Sequence, residues 1–346
     1  MASCNEIHQL LPEDVIIEIL LRLPVKSVIR ARVVCKNWYT ITKNPSFVTK
    51  HFNHPANSGR LFVNRFDKIS KNMFSHCSLI KHWPVLRRSI RMWWWICPTI
   101  LIWVSACNGI LCISYHLQRF ALWNPATREF RSLPALPRNF PPNVASFRET
   151  FGFGFNPITN DYKVVWIWNT KEDVGGLHQI SYGPYQAAVY TLSTDSWRYL
   201  EVALHYASIR NPQSNTCING VYYWFAIDND DSRLILSFDM GNELFHEIRD
   251  IPSSNDGYIN SIALIYSHSG DIWVTMEERD GDRHVALYDP ETREIKHIGS
   301  PIWADCFVYR ESLVAIKGGD GFLEQDQSSD VDQIILNFSK MEFRSS

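Results

Sequence analysis

Five short stretches of this chain share one design, and they limit what it can fold into. They are "WNPATREF" (123–130), "FNPITNDY" (155–162), "YTLSTDSW" (190–197), "FDMGNELF" (238–245) and "YDPETREI" (288–295). Each opens on an aromatic residue and closes seven residues later on an aromatic or Ile, with turn formers between. Their starts are separated by 32, 35, 48 and 50 residues. Asn-Pro or Asp-Pro followed by Thr or Asn is turn chemistry. The runs on either side, such as "FALW", "VYTL", "LILSF", "VALY" and "YKVVWIW", have the β-branched and aromatic content of strands. A second signal precedes several copies: "CNGILCIS" (107–114), "CINGVYYWFA" (217–226) and "HSGDIWVTM" (268–276) each place a hairpin turn before an apolar strand. The unit therefore reads turn, strand, strand, turn, strand. Its period is in the forties where it is clearest, the size of a four-stranded propeller blade.

The first fifty residues obey a different period. Pro12 suits the start of a helix, where its missing N–H costs nothing, and Glu13 and Asp14 then meet the positive end of the helix dipole. Ile16, Ile19, Leu20 and Leu23 follow the i, i+3, i+4, i+7 spacing of one apolar face, while Val15, Ile17 and Leu21 form a second. Pro24 ends this helix and starts the next, which carries Val25, Val28 and Ile29. "CKNWYTITKNP" gives a third helix with Trp38 and Ile41, predicted to end before Asn44-Pro45. Three short helices make a poor independent core, and each has apolar residues left over. The surplus packs either on the rest of the same chain or on a partner protein.

The whole is predicted as an α plus all-β chain. Residues 1–50 form the helical domain, 51–100 a linker with the first strands, and 101–346 a β-propeller-like domain. The 346 residues suffice for both. Net charge is −2 with no long block of one sign, against the basic face expected of a nucleic-acid protein. The apolar "WWWICPTILIWV" (93–104) is too short to span a bilayer and is interrupted by Pro98, so it reads as buried strand. The basic "VLRRSIRM" (85–92) reads as a solvated strand edge. Of the eight cysteines, none forms a C-x-x-C pair, and the start of the chain lacks the pattern of a signal peptide. Reduced thiols in a cytoplasmic or nuclear protein are expected, with no membrane contact.

"LPEDVIIEILLRLPVKSVIRARVVCKNWYTI" resembles an F-box, with its Leu-Pro opening, Leu-Pro-Val-Lys-Ser turn and Val-x-Cys-Lys-x-Trp ending. The resemblance implies docking onto the Skp adaptor, and through it the cullin, of an SCF-type ubiquitin ligase. By position it implies that Leu11, Pro12, Ile16, Leu20, Leu23, Pro24, Val28, Val33, Cys35 and Trp38 form the adaptor contact or its support. "ALWNPATREFRSLP", "FGFGFNPITNDYKVV", "VYTLSTDSWRYLE" and "LILSFDMGNELFHEI" are similar to the F-box-associated domain of plant F-box proteins, a relative of the kelch propeller, which implies a kelch-like β-propeller for this region. With "VYRESLVAI" (308–316) they resemble the S-locus F-box group, which recognises pistil S-RNases. Such a basic target would make acids on the loops matter; Asp228, Asp230, Asp231 and Glu277 are the candidates. One departure stands out: "DIWVTMEERDGDRHVALYDPETREI" runs straight into the last repeat where the family has further strands, so about one blade of chain is missing and ring closure is in question.

No H-E-x-x-H, G-x-S-x-G or P-loop pattern occurs, and the twelve histidines lack ligand spacing. "FGFGF" (151–155) reads as a strand whose glycines allow close packing. Cys107 and Cys112 read as small buried hydrophobes on a strand. The expectation is a non-catalytic substrate receptor with no cofactor or metal. The rivals are a β-propeller hydrolase and a non-functional paralogue with an incomplete propeller.

Overall fold

The computed structural model describes residues 11–57, 60–67, 72–78, 89–92, 103–115, 119–136, 146–173, 180–210, 217–249, 265–266, 272–277, 283–288, 295–297 and 304–316. Four helices come first among these: α1 (Glu13–Leu21), α2 (Val25–Ala31), α3 (Lys36–Lys43) and α4 (Pro45–Asn53). The three-helix expectation is thus one short. Pro45 was read as a stop, but it occupies the first turn of α4, where the side chain of Asn44 accepts a hydrogen bond from the Ser46 N–H (2.8 Å). Pro12 and Pro24 are the N-cap residues of α1 and α2.

The helical core is Ile16, Leu20, Leu21, Val25, Val28, Ala31, Ile41 and Phe47, completed by Ala126 and Leu313 from the β region. Ile19 does not join it: the buried stripe of α1 runs 16, 20 and 21, and Ile19 faces outward. His51 is buried on α4, and its Nε2–H donates to the carbonyl of Leu23 (2.9 Å), pinning the turn between α1 and α2. Its Nδ1 has no partner among the described residues.

The β region forms five antiparallel sheets of four or five strands among the described residues. β1 (Arg60–Asp67), β2 (Asn72–Ser78) and β3 (Ser89–Met92) directly follow the helices, and β1 pairs along its length with β22 (Ala304–Tyr309), near the far end of the described chain. β3 is an edge strand of this sheet, in accord with the reading of "SIRM". The next sheet is β4 (Trp103–Cys107), β5 (Ile110–Tyr115), β6 (Arg119–Asn124) and β7 (Glu129–Ser132). The third sets β8 (Ser146–Asn156), β9 (Asp161–Asp173), β10 (Ile180–Tyr182), β11 (Tyr185–Thr191) and β12 (Ser196–Leu204) together. The fourth holds β13 (Ser208–Arg210), β14 (Cys217–Ile218), β15 (Val221–Ile227), β16 (Arg233–Asp239) and β17 (Leu244–Ile248). The fifth is β18 (Ile265–Tyr266), β19 (Ile272–Glu277), β20 (Arg283–Tyr288) and β21 (Ile295–His297). Sheets touch through β18 with β22, β22 with β4, β4 with β8, and β8 with β15. The segments 93–102 and 317–346, and the turn of the fifth repeat, lie outside the described residues.

The four described repeats share a backbone device that their wording hides. The fifth residue after each opening aromatic has positive φ: Arg128 (63°), Asn160 (54°), Asp195 (49°) and Glu243 (58°). The second residue caps the turn in three of them, where Asn124, Asn156 and Asp239 accept from backbone N–H groups two residues on. Asn108-Gly109 and Asn219-Gly220 have positive φ at both positions, as two-residue hairpin turns require. In "FGFGF", Phe153 is fully buried on one face of β8, while a Cβ at Gly152 would lie 2.7 Å from Tyr222 and Trp224. These glycines are there for close packing, as expected.

The helices are held to the β region by a strap, residues 309–316. Asn124 donates from Nδ2 to the carbonyls of Ser312 (3.1 Å) and Val314 (2.7 Å), and Glu129 accepts from the Ile316 N–H (2.7 Å). On the helical side, Asn57 donates to the Glu311 carbonyl (3.0 Å), and the guanidinium of Arg310 lies 5.3 Å from the Phe52 ring centre. Tyr309, Ser312, Leu313 and Ile316 are all buried.

Two predictions follow from this packing. Gly109→Ala puts a Cβ 2.3 Å from that of Ser312, at a φ of +79°. The left-handed backbone alone costs about 1 kcal/mol, so denaturant melts should show a loss larger than that, together with faster proteolysis of the strap. Burial also holds the His51 imidazole below its ordinary value, aided by His54; the bond to Leu23 and the charge of Glu311 oppose this in part. The unfolded chain therefore takes up a proton that the folded one refuses. Stability should be level above about pH 7.5 and should fall as pH drops below about 6.5. His51→Gln, which keeps a donor for Leu23, should lack this contribution, so the wild-type minus variant difference in melting temperature should itself fall as pH drops through that window.

Candidate functional site

The ten residues singled out in the helical region fall into three environments. Ile16, Leu20 and Val28 are 0 to 1% exposed and belong to the core. Leu23 and Trp38 are half-buried and pack against that core; the buried indole N–H of Trp38 finds no acceptor among the described residues. Leu11, Pro12, Pro24 and Val33 are exposed, Val33 at 88%. Cys35 is half-buried and disulfide-bonded, so the expectation of reduced thiols fails at this position.

Sequence reasoning passed over part of the outward face. Val15 and Ile19, four residues apart on α1, are both exposed, as are Val34 and Tyr39. Of the nine large hydrophobic side chains exposed among the described residues, six lie between Leu11 and Tyr39. The surplus apolar surface thus divides. Ala126 and Leu313 cover some of it, and the rest faces outward. The spacing of Val15 and Ile19 was the available signal, since a second apolar stripe on a nine-residue helix cannot share the core with the first.

Strand directions separate two ends of the β region. The turns at 107–110, 124–129, 156–161, 191–196, 218–221 and 239–244 share one end, toward the helices. There Asn108, Thr159, Asp161 and Ser193 face Lys43 and Phe52 across a cleft of about 530 Å³. The loop 228–232 lies at the opposite end, where Asn229 Nδ2 donates to the His205 carbonyl (3.3 Å) and Arg148 donates to that of Ala207 (3.1 Å).

The acidic candidates are not equivalent. Asp228 is paired with Arg249 (2.9 Å), which also bonds Glu247 (2.7 Å), so its charge is already answered. Asp230 is exposed and accepts a hydrogen bond from the Ser232 N–H (3.0 Å). Asp231 is exposed with a positive φ of 64°. Glu277 ends β19 opposite Arg283 in the ladder, which corrects its assignment to a turn. No group of three or more His, Cys, Asp or Glu side chains is placed to hold a metal among the described residues, and no described helix is long and apolar enough to cross a membrane.

Comparison with known proteins agrees with the two-part organisation. Residues 9–50 match the F-box domain family. Residues 99–288 match the family described as the F-box associated beta propeller domain. Among Arabidopsis thaliana proteins, an F-box protein is 29% identical over 253 residues, covering 70% of this chain and 60% of the relative. An F-box/LRR-repeat/kelch-repeat protein is 26% identical over 264 residues, covering 72% and 66%. An F-box only protein is 29% identical over 287 residues, covering 77% and 71%. The first two relatives are thus matched over less than two thirds of their own length. An F-box-type helical region with an outward apolar face, followed by antiparallel sheets that match the associated domain over more than half of the chain, leads to one family: the chain belongs to the F-box proteins that carry an F-box-associated domain.

Proposed function

We propose that the chain is the substrate-recognition subunit of an SCF-type ubiquitin ligase, with residues 1–50 as the adaptor-binding module and the β region as the target-binding one. The concentration of exposed Leu11, Val15, Ile19, Val33 and Val34 in the F-box is the observation that carries this reading. Contiguous apolar surface of this kind marks an interface. Pro12 and Pro24 flank the contact from the surface; Ile16, Leu20 and Val28 support it from within; Leu23, Cys35 and Trp38 lie at the boundary. The Skp adaptor and, through it, the cullin are the partners on this side.

The target side is the end remote from the helices, where the loop carrying Asp230 and Asp231 projects. A protein bound there is presented to a ubiquitin-conjugating enzyme held elsewhere in the complex, and catalysis is by proximity. No catalytic group of this chain takes part. The five sheets serve as blades of a ring, with the β1–β22 pairing as its seam; the contacts of β18, β22, β4, β8 and β15 in succession support that arrangement. An S-RNase is the finer candidate for the target. It is a basic protein, and Asp230 and Asp231, which form no ion pair among the described residues, suit it better than Asp228 does.

Co-purification with the Skp adaptor tests the reading. Ile19→Asp and Val33→Asp should each abolish adaptor capture while leaving the melting temperature of the purified chain unchanged. Leu20→Ala should act differently, lowering stability by about 2–5 kcal/mol as a core truncation does. Capture by both surface variants at the wild-type level would overturn the adaptor assignment. On the target side, Asp230→Lys with Asp231→Lys should leave adaptor capture intact and weaken binding of a basic ribonuclease in a direct binding assay.

A further inference from the structure

Cys107 and Cys112 are neighbours in sequence, yet the fold gives Cys107 a different companion. Cys112 is fully buried in the apolar core between the second and third sheets. Cys107 ends β4, Cys217 begins β14, and both strands lie against β8. The two side chains approach along the edge of β8 that β9 leaves unpaired, and their thiols are hydrogen-bonded to one another. The backbone N–H of Phe155 on β8 is directed at both sulfurs, and that of Gly220 at Cys217 as well. Gly154 makes the approach possible: a Cβ there would lie 2.9 Å from the Cys217 sulfur. Both residues are free thiols at the margin of the core, partly exposed as residues with their sulfurs turned inward.

We propose that Cys107 and Cys217 are a peroxide-oxidisable dithiol, which closes into a disulfide joining the second sheet to the fourth across the edge of β8. Neither residue has a part in the adaptor or target surfaces, so the inference is independent of the receptor reading. The chemistry assigns the two sulfurs different roles. The bond from Cys107, with those from the Phe155 and Gly220 amides, stabilises the Cys217 thiolate and lowers its pKa against the opposing effect of burial. Cys107, as the donor in that bond, is pushed up, and burial adds to the shift. Cys217 is therefore the attacking thiolate. Its sulfur takes one oxygen of hydrogen peroxide, the O–O bond breaks, and hydroxide leaves with a proton as water, giving a sulfenic acid. The Cys107 sulfur attacks the sulfenic sulfur, its S–H proton leaves with the displaced hydroxyl as a second water, and the S–S bond forms. Two thiols are oxidised by two electrons and one peroxide is reduced to two waters. Cys112, with no anion-stabilising neighbour and a pKa raised by burial, takes no part.

Peptide mapping of the full chain, in complex with the adaptor if the adaptor is needed for solubility, tests this. After a short exposure to dilute hydrogen peroxide and alkylation without reductant, a linked Cys107–Cys217 peptide should accumulate and vanish on treatment with dithiothreitol. In Cys107→Ser, dimedone should trap a sulfenic acid at Cys217 several-fold above labelling at Cys112. The oxidised wild type should melt at a higher temperature than the reduced form, and Cys217→Ser should show no such difference, as expected for a cross-link closing a loop of about a hundred residues. Recovery of both peptides in the reduced form, or irreversible sulfinic acid at Cys217 with no linked peptide, would overturn the proposal. The wild-type map decides the matter even if a serine variant folds poorly.

Discussion

The carboxamide of Asn124 is the pivot of the molecule. It sits at zero exposure in the first repeat turn, accepts from the turn's own Ala126 N–H, and donates to two carbonyls of the strap, those of Ser312 and Val314. One side chain thus closes a local turn and ties together residues almost two hundred positions apart. A buried amide with all its partners in place resists replacement, because any substitution leaves two buried carbonyls unanswered. From this point the strap reaches Leu313 into the helical core, and the turn supplies Ala126 to the same core. The F-box is therefore not a bead on a string: its core is finished by residues of the β region.

The ion cluster around buried Lys163 does similar work between the third and fourth sheets. Lys163 on β9 donates to the Met240 carbonyl (2.8 Å) and to Glu243 (2.7 Å), and Glu243 also holds Arg198. Glu243 reaches them from the left-handed position of its repeat turn. The repeat is thus more than a way of reversing direction. Its sixth position aims a side chain, and in this copy the side chain locks one sheet to its neighbour.

Much of this organisation was legible in the sequence, and what was not has physical reasons. The repeat spacing located the hairpins because aromatic and Asn or Asp positions recur, and Asn-Gly announced two more turns. The left-handed sixth position was invisible: Arg, Asn, Asp and Glu all occupy it, so residue type carries no signal where the turn's own hydrogen bonds hold the backbone. The α4 helix was missed because an X-Pro step stops one helix and starts the next with equal ease. Ile19 and Leu21 exchanged roles because a nine-residue helix is too short for periodicity to fix its rotation. The meeting of Cys107 with Cys217, and of β1 with β22, is tertiary and left no local trace. The outward apolar face was foreseen as a surplus, although Val15, Ile19 and Val34 were not among the residues assigned to it.

The pairing of β1 with β22 has a geometric consequence for a receptor. β1 follows the helices after a few residues, and β22 runs straight into the strap that packs against them. The helices are thus moored at two points on one sheet, through the strand that follows them and through the strap that leaves its neighbour. Such a mooring resists both hinge and swivel, so the span from the adaptor surface to the loop at 228–232 behaves as a fixed length. In the proposed receptor role this would make the chain a ruler: which lysine of a bound protein is modified would depend on where it stands relative to that span, and little on how far a flexible arm could carry it.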